Sequence, residues 1–323
     1  MTEHWLGASD AVVVAELMRD GRAESFHHGV VAVVDSAGNT LLERGNAEAI
    51  VYPRSTLKPL QAIAVLETGI ELSSLHLALT TASHCGSTRH REAVLSFLDT
   101  YGLDSQALQC PLDLPLGSDE RAHYLAEGLR PSREAMNCSG KHAGFLAACT
   151  HAGYSLEDYL SPSHPLQVNI RETISRYAEE DIAFSSHDGC GAPLHAISLG
   201  GLATAIARVA AGNTAHEHQL LTAVRENSWA IDGEGRDNTV TIETLGGIAK
   251  IGAEGLVVIG TPDGVAVAVK ILDGSMRATS LVALAALEKT GAISPEQATV
   301  LSARMAHPVT GGEAIIGGLE VRL

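Results

Sequence analysis

The sequence predicts an α/β protein of the α+β type, in which an antiparallel sheet from both chain ends is covered by helices. Strand-like segments rich in β-branched residues lie before about residue 56 and after about residue 246. Helical periodicity fills most of the chain between them. No repeat, linker or low-complexity tract divides the 323 residues. We therefore expect a single domain over residues 1–323, with a sheet part at about 1–56 and 246–323 and a mainly helical part at about 57–245.

The first sixth of the chain predicts an antiparallel meander followed by a helix. The predicted strands are residues 12–18, 29–35 and 40–44, and a Ser-Ala-Gly-Asn turn at 36–39 joins the last two. The pattern changes after Pro53. A helix is predicted over residues 57–68, because Pro59 is tolerated in a first turn and Gly69 can end the helix.

Helices dominate the middle of the chain, and strands return near its end. The predicted helices span residues 90–101, 118–127, 166–178, 199–211 and 216–227. A short extended piece is expected at 182–184, and strands are expected at 248–252, 256–259, 265–271 and 318–323. Ser118 is expected to cap its helix. Asp273 and Ser275 are expected to cap a further helix that ends near Lys289, and Pro295 begins the last one.

Composition argues against several classes of partner. The formal charge of -16 disfavours nucleic acids and anionic membranes. No stretch is long and apolar enough to span a bilayer, and residues 1–20, which include Glu3, lack the basic and apolar regions of a signal peptide. The five cysteines are odd in number and widely spaced, which predicts reduced thiols in the cytoplasm rather than a disulfide framework.

A serine and a lysine three residues apart, Ser55 and Lys58, stand at the predicted start of the first helix. At this spacing the two side chains share a helix face, and a neutral lysine amine can take the proton of a serine nucleophile. Only five of the 22 basic residues are lysines. Because arginine cannot be deprotonated in a protein, such sparing use suggests that some lysines serve as bases. The alternative is that Lys58 is a solvated helix residue.

Small polar segments that carry reactive side chains interrupt the regular pattern four times, at residues 54–58, 83–87, 137–142 and 187–190. Loops held on a scaffold are common positions for catalytic residues. Two of these segments contain Cys138, Lys141 and Cys190, and two thiolates with nearby nitrogen or oxygen donors can hold zinc. Without a Cys-x-x-Cys pair, cysteine statistics favour the alternative of two buried free thiols.

Lys270 is the only charged residue in the apolar run at 265–272. Partial burial there would lower its pKa towards the neutral form that a base requires. An edge-strand lysine that deters aggregation is an equally good interpretation. The Lys289-Thr290-Gly291 triplet matches a penicillin-binding motif in letters, but it is predicted to be a helix end with a glycine cap.

Together these segments resemble the L-asparaginase II family of the Rhizobium etli type, and they run in family order over nearly the whole chain. The matching segments are Arg-Ser-Thr-Leu-Lys-Pro at 54–59, Ala-Ser-His-Cys-Gly at 82–86, Asn-Cys-Ser-Gly-Lys-His-Ala at 137–143, His-Asp-Gly-Cys-Gly-Ala-Pro at 187–193, Lys-Ile-Gly-Ala-Glu-Gly at 250–255 and Ala-Val-Lys-Ile-Leu-Asp-Gly at 268–274. The resemblance implies a fold like that of serine β-lactamases and glutaminases. It also implies hydrolysis of L-asparagine to L-aspartate and ammonia.

The resemblance assigns roles position by position. It implies that Ser55 with Lys58 and Ser83 with Lys270 form two catalytic serine–lysine pairs. It implies that Cys138, Lys141 and Cys190 bind one zinc ion. Because the serine–lysine pairs already supply a nucleophile and a base, we do not expect this zinc to activate the nucleophile. The residues expected to hold the substrate are Arg54, His84, His142 and Asp188. Cys85 and Ser87 depart from the Ser-His-Ser-Gly-Glu that the family commonly has at 83–87, which leaves the substrate contacts near Ser83 open.

The sequence therefore predicts a cytoplasmic L-asparagine amidohydrolase that forms an acyl-enzyme and works as a homodimer. Its partner is a small molecule, and neither nucleic acid nor membrane is expected. A glutaminase, an esterase or another β-lactamase-like serine hydrolase is the alternative within the same chemistry. A zinc-binding protein without turnover is the alternative from another class.

Overall fold

The computed structural model describes residues 4–323, and residues 1–3, which include Glu3, lie outside the described residues. Within residues 4–323 the chain forms eleven strands in two sheets. In chain order the strands are β1 (Val12–Arg19), β2 (Arg22–Val34), β3 (Thr40–Arg44), β4 (Ile50–Val51), β5 (Phe184–His187), β6 (Pro193–Ser198), β7 (Ile248–Gly252), β8 (Leu256–Gly260), β9 (Ala266–Ile271), β10 (Val309–Gly311) and β11 (Ala314–Val321).

The large sheet is antiparallel and joins the two ends of the chain, which confirms the predicted fold class. Its strand order is β10-β11-β1-β2-β9-β8-β7, and β3 pairs with β2 outside this path. The long strand β2 makes this possible, because its first half pairs with β1 and its second half pairs with both β3 and β9. The small sheet, in the order β4-β6-β5, lies outside the predicted architecture.

Eleven α-helices cover the sheets within the described residues. They are α1 (Lys58–Leu66), α2 (Ser74–Thr80), α3 (Thr88–Thr100), α4 (Ser118–Ala126), α5 (Ser139–Ala152), α6 (Pro165–Ala178), α7 (Leu199–Ala211), α8 (Ala215–Glu226), α9 (Asp237–Leu245), α10 (Thr279–Lys289) and α11 (Pro295–Met305). Three short 3₁₀ helices add to these at Arg54–Leu57, Ser105–Ala107 and Ser228–Ala230. None of the helices in residues 4–323 has the length and apolar character needed to cross a membrane.

Helices α7 and α10 pack against the central strands β2, β8 and β9. Every residue of β8 is buried, and so is nearly every residue of β9. Since neighbouring residues of a strand point to opposite faces, burial of all of them means that both faces of the sheet are covered here. The core is built mainly of Ala, Val, Leu and Ile, as the low aromatic content predicts.

Several local predictions are corrected by the structure. Gly117 precedes α4 and Ala278 precedes α10, and neither helix has a side-chain cap. Strand β10 and helix α9 were not predicted, since β10 has three residues and α9 begins with the polar sequence Asp-Asn-Thr. Helix α9 is instead stabilised by tertiary packing, including a 2.9 Å hydrogen bond from the Ile251 backbone N–H to Asn238 Oδ1.

Candidate active site

Ser55 lies in the 3₁₀ helix Arg54–Leu57, which links β4 to α1. The turn is held from Pro53, whose carbonyl oxygen accepts hydrogen bonds from the Thr56 hydroxyl at 2.6 Å and from the Thr56 backbone N–H at 3.2 Å. Lys58 is the first residue of α1, so one helical turn separates it from Ser55. Its exposed fraction is 1%. This burial excludes the alternative that Lys58 is a solvated helix residue.

The Lys58 amine is hydrogen bonded to Ser83 rather than to Ser55. Its Nζ donates to Ser83 Oγ at 2.8 Å, to Cys138 Sγ at 3.1 Å and to the carbonyl oxygen of Ala82. Among the described residues no hydrogen bond joins Lys58 to Ser55. Three acceptors around one amine match the three donors of an ammonium group. The resting geometry therefore favours a charged Lys58, whereas its predicted role as a base requires the neutral form.

Ser55 and Ser83 line the same cavity, which has a volume of about 240 Å³. The rest of its lining consists of Leu116, Asn137, Asp232, Arg236, Asn238, Lys250, Ile251, Gly252, Ala253 and Met276. The Ser83 backbone N–H donates to the Ile231 carbonyl oxygen at 2.9 Å, which fixes the serine beside the 231–236 loop. A cavity of this size, lined by two hydroxyls and several ionisable side chains, suits a small polar molecule.

Lys250 is a site residue to which sequence reasoning gave no role. It lies on β7, lines the cavity with both serines, and is 1% exposed. The pKa of Lys250 is lowered to about 7, mainly by burial and also by the nearby charge of Lys58, although the Asp232 carboxylate opposes the shift. A neutral amine beside Ser55 can act as a general base near pH 7.

Close packing of β7 against the 3₁₀ turn brings Lys250 to the cavity. A Cβ at Gly252 would lie 3.1 Å from the Pro53 carbonyl oxygen and 3.1 Å from Thr56 Cγ2, so only glycine leaves this approach free of crowding. The resulting Lys-Ile-Gly on a strand beside the serine has the form of the Lys-Thr-Gly found in penicillin-binding enzymes. The signal available in the sequence was that Lys250 belongs to the segment 250–255 that matches the family.

Lys270 does not meet Ser83 in the structure. It lies on β9, which β8 separates from β7, and it lines a different cavity of about 390 Å³ together with Arg54 and Glu254. Its amine donates to the carbonyl oxygens of Ile271, at 2.9 Å, and of Glu254. Burial lowers the pKa of Lys270, as predicted, while the Glu254 charge opposes the shift.

The four residues expected to hold the substrate also lie outside the lining of the cavity that contains Ser55 and Ser83. Arg54 Nε donates to Asp188 Oδ1 at 2.8 Å, and the two residues form an ion pair. His84 is fully buried, with Nε2 2.8 Å from Ser139 Oγ, and His142 is fully buried, with Nδ1 2.7 Å from the Tyr159 hydroxyl. Burial lowers the pKa of both histidines, which keeps them neutral.

The three residues expected to bind zinc lie together and are buried. Lys141 Nζ is 3.0 Å from Cys190 Sγ, and the Cys138 and Cys190 thiols form a hydrogen bond with each other. That hydrogen bond and the Lys141 charge lower the pKa of Cys190, although burial opposes the shift. The same hydrogen bond and burial raise the pKa of Cys138. The two thiols are therefore buried, which agrees with the alternative of two buried free thiols, but each thiol is also paired with a lysine.

Two sulfurs and one nitrogen are donors that zinc accepts. Within residues 4–323, no group of three or more His, Cys, Asp and Glu side chains is arranged to hold a metal ion. A zinc site at this cluster would therefore depend on Lys141 as its nitrogen ligand. The donor types of this cluster fit zinc only if Lys141 is one of the ligands.

The site is typical of a class of enzymes, and a comparison with known protein families identifies the family of this chain. A serine cavity with two buried lysines is an arrangement found in hydrolases, and the model of the L-asparaginase II family matches residues 15–321. The chain belongs to the L-asparaginase II family and is an amidohydrolase of that family. A search of curated protein sequences gave no significant match.

Two solved structures are similar to the chain at low sequence identity. One is a β-lactamase from Mycobacterium bovis, with 13% identity, a TM-score of 0.45, and coverage of 81% of this chain and 94% of the other. The second is EstCE1, described as a hydrolase with promiscuous acyltransferase activity, with 12% identity, a TM-score of 0.38, and coverage of 80% and 89%. Similarity at this level says nothing about the substrate of the present chain.

Proposed function

We propose that this chain hydrolyses the side-chain amide of L-asparagine and releases L-aspartate and ammonia through a serine acyl-enzyme. The observation that carries the proposal is the small cavity that Ser55, Ser83 and the buried Lys250 line together, with Lys58 hydrogen bonded to Ser83. Membership of the L-asparaginase II family supports the substrate class.

In the proposed reaction Ser55 Oγ attacks the amide carbon, and its proton passes to the neutral amine of Lys250. The C–N bond then breaks as a proton reaches the leaving nitrogen, which gives ammonia and an ester on Ser55. Water attacks the ester, releases L-aspartate and restores the serine hydroxyl. Lys250 is the better base of the two lysines, because burial lowers its pKa to about 7.

Lys58 and Ser83 form the second part of the proposed machinery. The 2.8 Å contact between Lys58 Nζ and Ser83 Oγ gives the ammonium a path to a hydroxyl that lines the cavity. Ser83 is placed to pass the Lys58 proton to the departing ammonia. When water attacks the ester, its proton returns through Ser83 to Lys58, and Lys250 gives its proton back to Ser55 Oγ. The charge of Lys58 also disfavours a second charge on Lys250, so one lysine remains cationic while its neighbour remains neutral.

We also propose that Cys138, Lys141 and Cys190 hold one zinc ion. When bound, the metal supplies a fixed positive charge close to the cavity, because Lys58 Nζ lies 3.1 Å from Cys138 Sγ. The residues of the cluster come from the start of α5 and from the turn between β5 and β6, so a bound metal would tie these two segments together.

The test is an ammonia-release assay on L-asparagine and L-glutamine side by side, with Ser55→Ala as the control. Turnover of asparagine that Ser55→Ala abolishes supports the proposal. Preferred turnover of glutamine would make the chain a glutaminase. Stoichiometric zinc without release of ammonia from either amide would favour the binding protein without turnover. Sedimentation of the same preparation would test the predicted homodimer.

A further inference from the structure

Three ionisable side chains line the cavity that contains Ser55: Asp232, Arg236 and Lys250. Lys250 has a role in the proposed proton transfer. The remaining two form an ion pair of opposite charges at the wall of the cavity, and the reaction described above uses neither of them. A substrate with one positive and one negative group would complement such a pair.

The backbone that positions Ser83 also positions Asp232. Cys85 follows Ser83 by two residues, and its backbone N–H donates to the Asp232 carbonyl oxygen at 2.6 Å. The carboxylate is buried, with 5% exposure, and its Oδ1 accepts from Arg236 Nε at 2.7 Å. Asp232 also affects the pKa of Lys250, so its charge acts inside the cavity.

Arg236 retains free hydrogen-bonding capacity. Its Nε binds Asp232, and among the described residues no acceptor binds either of its Nη groups. Its side chain is 40% exposed and lines the cavity. A guanidinium fixed through Nε and open at both Nη groups can form a bidentate pair with a carboxylate.

Gly233 explains how this short loop holds the guanidinium in place. Its φ of +148° lies in a region that side-chain-bearing residues rarely adopt. A Cβ at this position would lie 2.7 Å from Cys85 Sγ and 2.8 Å from Arg236 Cδ. The loop therefore folds tightly enough for the Arg236 stem to pack against its backbone.

We infer that Asp232 and Arg236 recognise the zwitterionic end of an α-amino acid, with Arg236 binding the α-carboxylate and Asp232 the α-ammonium. This inference rests on the proposed function, and it defines the substrate class as amides of α-amino acids with both charges present. Arg54 and Asp188, the residues that the family resemblance suggests for this task, form a similar ion pair, but neither of them lines the cavity that contains Ser55.

Binding to the Ser55→Ala protein tests the inference without turnover. Calorimetry would compare L-asparagine with succinamic acid, which lacks the α-amine, and with 3-aminopropanamide, which lacks the α-carboxylate. Adding Arg236→Gln to the Ser55→Ala protein should weaken the binding of L-asparagine and of succinamic acid at least about tenfold. It should leave the affinity for 3-aminopropanamide within about twofold. Asp232→Asn should weaken the binding of L-asparagine and of 3-aminopropanamide and should leave the affinity for succinamic acid unchanged.

Arg89→Gln is the matched control, because it breaks an exposed ion pair with Glu234 in the same loop. It should leave all three affinities within about twofold. If Asp232→Asn fails to fold, the preference of the parent for L-asparagine over both analogues still tests the need for two charges.

Three results would overturn the inference: unchanged L-asparagine binding in Arg236→Gln, a loss in Arg54→Gln instead, or no binding of any of the ligands by the parent. The outcome is separable from the proposed function. If wild type releases ammonia from asparagine but Arg236→Gln binds normally, the recognition site is wrong and the reaction stands. If binding depends on the two charges but no ammonia is released, the recognition site is supported and the proposed reaction is wrong.

Discussion

Replacing Lys250 with methionine removes a buried amine while keeping an unbranched side chain in the space that it fills. The unfolded chain exposes this lysine to water, where its pKa is near 10.5, whereas burial in the folded chain lowers the pKa to about 7. This difference corresponds to about 5 kcal/mol, at about 1.4 kcal/mol per pH unit. Below pH 7 the folded protein bears this whole cost, because the amine must be either buried as a cation or deprotonated.

Lys250→Met should therefore abolish ammonia release and yet raise the free energy of unfolding by as much as about 5 kcal/mol below pH 7. The sign of the pH dependence follows from proton counting. Between about pH 7 and 10.5 the unfolded state binds the proton and the folded state does not, so wild-type stability rises with pH through this window. The advantage of the variant should shrink by about 1.4 kcal/mol per pH unit over the same range.

The assay is urea unfolding of wild type and Lys250→Met at about pH 6, 8 and 9.5, followed by tryptophan fluorescence, with ammonia release measured on the same samples. Lys270→Met is the matched control, because that amine is only partly buried and its stability gain should be smaller. A variant less stable than wild type at pH 6, or an advantage that does not change with pH, would refute a buried neutral Lys250. Near-normal activity would refute its role as the base.

Three other predictions follow from the proposed site. Ser55→Ala should lower kcat/KM at least about a thousandfold, and adding Lys58→Met should lower it little further, because residues that act as a unit are not additive; steady-state kinetics on the folded variants would show a multiplied loss if the two were independent. In wild type, kcat/KM should rise about tenfold per pH unit below an apparent pKa near 7 and then level off as Lys250 loses its proton; a rate that does not change between about pH 5 and 9 would contradict this. Dialysis against a chelator should raise KM more than it lowers kcat, and Cys190→Ser should reduce the zinc content measured by mass spectrometry; a complete loss of kcat that zinc restores would make the metal the catalyst.

The sheet and most helices could be predicted because their signals are local. Alternating β-branched runs at 12–18 and 265–271, and apolar helical periodicity at 199–211, agree with β1, β9 and α7. Strands at both ends of the chain predicted one shared sheet, and in the structure β1 pairs with β11. The small sheet was missed because β5 is polar and is stabilised by its pairing with β6, which no local pattern reveals.

Local sequence patterns could not show which of two lysines, Lys250 or Lys270, lies at the site. Lys250 and Lys270 are both single charges in apolar strands, and it was the family resemblance that assigned a catalytic role to Lys270. Strand order decides which of them shares a cavity with Ser55, since β7 packs on the 3₁₀ turn while β8 lies between β7 and β9. Asp232 and Arg236 were missed for a related reason. They lie in an irregular loop whose position is fixed by hydrogen bonds to the segment around Ser83.

Trapping of the acyl-enzyme tests the central claim most directly. Wild-type protein mixed with L-asparagine, quenched in acid within one turnover and digested, should yield a peptide containing Ser55 that carries an aspartyl ester. Ser55→Ala under the same conditions should carry none. An ester on Ser83 in its place, or ammonia release with no protein-bound aspartyl group at any quench time, would contradict nucleophilic attack by Ser55.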